Sequence, residues 1–149
     1  MVTATVVVVV LVAGWVLWRT TSDDDPFAAY CQTVKDRREE VGRAMSAGPQ
    51  TGLIKALPVF RELADDAPAD IGDEWKVVLS SITQLRDALT DAGLDPATYD
   101  PDHPPTGVAA DDRDAIEAAA VRLASPDTKL AFAGVDQQAR DVCKTPLFL

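Results

Sequence analysis

The amino-acid sequence predicts an all-α protein: one N-terminal transmembrane helix, then a four- to five-helix bundle closed by a terminal disulfide. Three observations predict it. The first 19 residues hold a long uncharged apolar run. Beyond them, apolar residues recur every three or four positions between helix caps and breakers. Finally, the only two cysteines, Cys31 and Cys143, stand near the two ends of that helical region. At 149 residues the chain has room for one domain and an anchor. The boundaries read as an anchor over 1–19, an acidic linker over 20–25 and an extracytoplasmic helical bundle over 26–149.

Val2 to Trp18 carries no charge and includes Val6 to Val10, Leu11, Val12, Val16 and Leu17. As a helix it would span roughly 25 Å, near the lower limit for a hydrocarbon core of about 30 Å. Trp15 and Trp18 stand where an aromatic belt lies, and Arg19 can snorkel to the headgroups. A cleaved signal peptide is the competing reading, but Thr20-Thr21-Ser22 matches an A-x-A site poorly. No lipid-attachment cysteine follows the run either. A retained signal anchor in contact with membrane lipid is the expectation, single-pass, with the C-terminal domain outside.

The first helix is expected from Asp25-Pro26, as cap and first helical residue, to Gly48-Pro49. Its stripe is Phe27, Tyr30, Cys31, Val34, Val41 and Met45, interrupted at Arg38. A second helix carries Leu53, Leu57, Phe60 and Ala64 on one face, and Pro58 must kink it or begin a shorter helix. The third has an Asp70/Asp73 capping pattern and ends at Gly93. Between them Ile71, Trp75, Val78, Ile82, Leu85 and Leu89 form a narrow seam, the pattern of a helix packed between neighbours.

A proline-rich loop follows from Gly93 to Gly107. A fourth helix is expected from about Asp112 to Ala124, with Ile116, Ala119, Ala120 and Leu123 inward. Ser125-Pro126 then caps a fifth, with Leu130 or Ala131, Val135, Ala139, Val142 and Cys143 toward the core. The greasy end Pro146-Leu147-Phe148-Leu149 is expected to pack back onto the bundle, the alternative being a partner-binding tail.

Arg19 is the only charge of the first 19 residues, so the remainder holds 13 Lys and Arg against 24 Asp and Glu, a charge of −11. Such a surface repels phosphate backbones, which argues against nucleic acid. The cysteines form no CxxC pair, and the chain has one histidine, which disfavours zinc. In an exported domain an even pair reads as a disulfide, the alternative being two buried thiols.

Polar chemistry concentrates at Tyr99-Asp100-Pro101-Asp102-His103. Asp100, Asp102 and His103 are weak metal-ligand candidates. As a calcium loop the segment fails, with Pro104 at the fifth position, Pro105 where glycine is needed and Asp111 at the twelfth. A solvated turn is the better reading, and no cofactor is expected. Asp65-Asp66, Asp73-Glu74 and Asp111-Asp112 are carboxylate pairs, but acid–base chemistry also needs a cleft and substrate-binding aromatics. Most of these residues fall at helix starts or ends, which favours the solvated reading. Arg37, Arg38 and Arg43 alternate with Glu39 and Glu40 and read as a solvated mixed face.

Tyr30-Cys31 to Val34, the run Leu57 to Ala64 with Ala67-Pro68, Asp73-Glu74-Trp75 and Ala139 to Cys143 resemble small exported or membrane-anchored helical proteins of actinobacteria, many of them lipoproteins. The resemblance spans most of residues 26–144 and implies location and fold without catalytic residues. The chain departs from the lipoproteins in lacking the lipid-attachment cysteine. These readings together predict a non-enzymatic, membrane-anchored interaction module, an accessory subunit contacting another cell-envelope or membrane protein. The alternative is a small-ligand or metal-binding cell-envelope protein.

Overall fold

The computed structural model describes residues 25–148. The expected anchor, with Val2, Val10, Trp15, Trp18 and Arg19, lies outside the described residues. Among those described, no helix is long and apolar enough to cross a membrane. They form five α-helices without strands: α1 (Ala28–Met45), α2 (Pro49–Asp66), α3 (Gly72–Asp91), α4 (Ala110–Leu123) and α5 (Pro126–Cys143). A 3₁₀ turn, Ala69–Ile71, leads into α3.

Helix α3 is the axis of the bundle and packs against α2, α4 and α5, while α1 lies against α2 and α5. The sequence seam explains this place. Ile71, Trp75, Val78, Ile82, Leu85 and Leu89 are all buried, and steps of three and four keep them on one stripe. Phe60 of α2 meets the Trp75 ring at 6.0 Å between centroids and Phe132 of α5 at 6.1 Å. These tilted and edge-on contacts suit aromatic quadrupoles.

Helix α2 presents a broader face than its expected stripe, because it packs on both α1 and α3. Leu57 and Phe60 are buried as expected, but so are Ile54, Ala56, Val59 and Leu63, whereas Leu53 and Ala64 are half-buried. The helix runs unbroken through Pro58, so no shorter helix begins there. The proline ring is exposed, and burial along the rest of the helix outweighs the one missing backbone donor. Close approach of α1 and α2 depends on Gly52, where an added Cβ would lie 2.8 Å from the Met45 Cα.

Two expected N-termini are corrected. Helix α1 starts at Ala28 rather than Pro26, because Asp25 makes a turn ahead of it. Its Oδ1 accepts from the Phe27 N–H at 2.9 Å and its carbonyl from Ala28 N–H at 3.0 Å. Helix α3 has no side-chain cap. The 3₁₀ turn supplies carbonyls instead, Pro68 O accepting from Ile71 N–H and Ala69 O from Gly72 N–H. Asp70 accepts from Gln138 at 3.1 Å and Asp73 from Lys76 at 2.7 Å. Helix α4 begins two residues before the expected Asp112, within the ordinary spread of helix ends.

The expected cap of α5 is present: Ser125 Oγ accepts from the Thr128 N–H at 3.2 Å, with Pro126 in the first turn. Ala131 faces the core and Leu130 does not. Cys31 and Cys143 form a disulfide with Cα atoms 5.0 Å apart, stapling α1 to α5 across 112 positions. Just beyond it, Lys144 takes a left-handed conformation at φ 57° and turns the tail back. Leu147 is then fully buried, and Thr145 accepts from Arg38 Nη1 at 3.0 Å. Arg38 is therefore half-buried and engaged, not part of a solvated face.

Candidate functional site

The loop between α3 and α4 is built by local chemistry and then pinned. Gly93, at φ +71°, ends α3. Its N–H donates to Thr90 O, and the Leu94 N–H to Leu89 O, both at 2.9 Å. Asp95 closes a turn by accepting from the Ala97 N–H at 2.9 Å and the Thr98 hydroxyl at 3.1 Å. Asp100 repeats the device with the Asp102 N–H at 2.9 Å. From α2, the Thr51 hydroxyl donates to the Tyr99 carbonyl at 2.7 Å and ties the middle of the loop to the bundle.

The structure brings two of the three metal candidates together. His103 Nδ1 and Asp100 Oδ2 are 2.9 Å apart, both exposed. This contact, with help from the Asp102 N–H, holds the Asp100 carboxyl below the usual carboxylate range. Asp102 contributes its backbone amide to the turn. Among the described residues, no three His, Cys, Asp or Glu side chains converge as a metal site.

Two clefts flank the Tyr99–Pro101 segment and share Gln50. The larger, about 450 Å³, lies against the α1–α2 corner with Gly48, Lys55 and Asp102 on its walls. The smaller, about 280 Å³, lies between the loop and α4. Leu94, Tyr99, Pro104, Val108 and Ile116 make it apolar, and Arg113 and Glu117 stand at its edge. Helical spacing explains the edge: Arg113 and Glu117 are one turn apart on α4, beside the buried Ile116.

Two further surface features lie elsewhere. An open groove of about 600 Å³ between α1 and α2 is lined by Thr33, Asp36, Arg37, Glu62, Asp65 and Asp66. Its charges are largely paired: Arg37 meets Glu62 at 2.9 Å and Glu40 at 3.2 Å, and Thr33 donates to Asp66 at 2.6 Å. On α3 and α5, Val77 and Leu130 face solvent around a depression of about 300 Å³ that also includes Asp73, Glu74 and Asp127. Lys76 is drawn to Asp73, which lowers that carboxyl and raises the ammonium above their ordinary pKa values.

Comparison with protein-family models, with curated proteins and with solved structures finds no match. Sequence reasoning singled out the loop through Asp100 and His103 but missed Thr51, Arg113 and Glu117 as its neighbours. The signal for Thr51 was slight, a lone hydroxyl in a helix's first turn. Arg113 and Glu117 looked like any exposed pair on an alanine-rich helix.

Proposed function

We propose that the chain is a membrane-anchored, extracytoplasmic, non-enzymatic interaction module, an accessory subunit that receives a basic, apolar segment of another cell-envelope protein. The observation that carries this reading is the pairing of Val77 on α3 with Leu130 on α5, 37% and 71% exposed, around one depression. One exposed leucine needs no explanation. Two large apolar side chains from neighbouring helices, edged by acids, make an apolar floor with a charged rim. Among the described residues, Glu74 and Asp127 have no ion-pair partner, so the rim keeps negative charge to steer and orient lysines or arginines.

The anchor part of the proposal is supported by the uncharged run Val2–Trp18 and its flanking Trp15, Trp18 and Arg19. The Cys31–Cys143 disulfide supports an oxidising compartment for the bundle. Likeness to small anchored helical proteins of actinobacteria points the same way.

The test is photocrosslinking in the native host from a reactive residue placed at position 130 of the full chain. The expected result is an adduct to one envelope protein, through a peptide bearing Lys or Arg beside apolar residues, and its loss in the Val77→Glu variant. Absence of any adduct, or adducts spread over unrelated proteins and indifferent to Val77→Glu, overturns the proposal. A parallel chain without residues 1–22, exported on a cleavable signal, tests the anchor by its release from the membrane fraction.

A further inference from the structure

We infer that the cleft between the proline-rich loop and α4 binds a small zwitterion with an apolar side chain, of the class of a free apolar α-amino acid. The cleft shares no lining residue with the Val77–Leu130 depression, so this inference stands apart from the docking proposal.

Size comes first. At about 280 Å³ the cleft lies just below the roughly 300–1,000 Å³ typical of drug-sized ligands, and so admits one residue-sized body. Its wall chemistry sets the character of that body. Leu94, Tyr99, Pro104, Val108 and Ile116 offer aliphatic, aromatic and pyrrolidine surface, with no charge among them.

Charge enters only along one edge, while Gln50 of α2 adds one neutral amide to the lining. Arg113 and Glu117 lie four residues apart on α4, yet they form no ion pair with each other within 4.0 Å. Among the described residues, neither side chain has another ion-pair or hydrogen-bond partner. A guanidinium and a carboxylate side by side, both unclaimed at the mouth of an apolar cleft, match the carboxylate and ammonium of one zwitterion. A simple anion fits less well, because Glu117 and the domain's charge of −11 oppose it. A simple cation leaves Arg113 facing it.

The site is also held ready. Thr51 fixes Tyr99, and the Asp95 and Asp100 turns fix the chain on either side of it. The ordering left to oppose binding is that of the exposed Arg113 and Glu117 side chains.

The experiment is titration of the purified full-length chain with L-phenylalanine, phenylacetate and 2-phenylethylamine, read by calorimetry and by the methyl shifts of Ile116. Saturable binding of L-phenylalanine in the millimolar range or below is expected, with movement of the Ile116 methyl signals. Arg113→Gln and Glu117→Gln should each weaken it roughly tenfold or more, as loss of a charge-assisted hydrogen bond does. Phenylacetate should bind more weakly and gain affinity in Glu117→Gln, and phenylethylamine should bind more weakly and gain affinity in Arg113→Gln, as each loses a like charge beside it. Both substitutions are at exposed positions, and circular dichroism checks that each variant keeps its helix content. No binding of L-phenylalanine, equal binding of phenylacetate, or indifference to either variant overturns the inference.

Discussion

Asp136 holds the end of the chain to the bundle: its Oδ1 accepts from the Leu147 N–H at 3.0 Å, while its Oδ2 accepts from Arg140 Nε at 2.8 Å. One carboxylate thereby joins the tail to α5, and Leu147 drops into the core with no exposed surface. Replacing Asp136 by alanine leaves a partly buried backbone donor unmatched. The expected loss is about 1–3 kcal/mol in denaturant unfolding. Hydrogen exchange at the Leu147 amide should accelerate in the same variant. Leu147→Ala should cost about 2–5 kcal/mol, because the cavity lies in packed core.

The Cys31–Cys143 bridge joins positions 112 apart. In the chain-entropy account it stabilises by roughly 4–5 kcal/mol, and removal of native disulfides costs about 2–5 kcal/mol in measured cases. Both single serine variants should therefore lose stability by similar amounts, and the double variant by little more. A thiol count on oxidised, denatured wild-type protein should read zero, rising to two after reduction.

Gly52→Ala should destabilise the bundle despite alanine's better helix propensity. The new Cβ would meet the Met45 Cα at 2.8 Å and the Ala44 carbonyl oxygen at 2.9 Å. Both are backbone atoms, so relief requires moving α1 away from α2. About 1–3 kcal/mol of overpacking exceeds the gain of roughly 1 kcal/mol from propensity. A melting curve of the single variant decides it.

Alkaline pH should weaken the fold through Tyr30. Burial pushes its hydroxyl from 10.0 up to about 12, partly offset by the Trp75 indole and reinforced by Asp136. The unfolded chain then gives up this proton at lower pH than the folded one. Stability is complete below pH 10 and falls as the pH rises toward 12, by up to about 2.7 kcal/mol. Tyr30→Phe should flatten that slope. It should cost little at neutral pH, because the Trp75 indole beside the buried hydroxyl does not reach hydrogen-bond geometry with it. A stability–pH profile of the two proteins gives both answers.

Thr51→Val should free the Tyr99 carbonyl and cost about 1 kcal/mol, the usual net value of one hydrogen bond. Its more specific mark is local: amide exchange across residues 95–103 should quicken while α3 keeps its protection. Uniform acceleration over the whole chain would instead show that Thr51 acts on the bundle and not on the loop.

Much of the fold was legible because helical periodicity is a local property. The seam from Ile71 to Leu89 stated both the existence of α3 and its central place, since six apolar residues on one stripe require neighbours. Ser125-Pro126 marked the start of α5 correctly, through a bond spanning three residues. Helix starts failed where a non-local or backbone alternative was available. Asp70 reached Gln138 on α5 instead of capping α3, and the 3₁₀ turn met the need that the cap would have served. Of the candidate site, Asp100 and His103 were visible as a polar cluster, while the cleft beside them was not. Its walls come from α2, the loop and α4, segments brought together only by folding.

By itself the sequence determined the all-helical class, the approximate helices and their inward stripes, because each follows from spacing within about 20 residues. It also placed both cysteines on core-facing positions. The tertiary structure alone decided that they meet at 5.0 Å between Cα atoms. It decided too that Ala131 rather than its neighbour Leu130 faces inward, that Arg38 reaches Thr145, and that Tyr99 is pinned by Thr51. Each of these depends on the rotation and separation of helices distant in sequence. Those quantities are set by packing the whole core, and a local pattern of residues does not contain them.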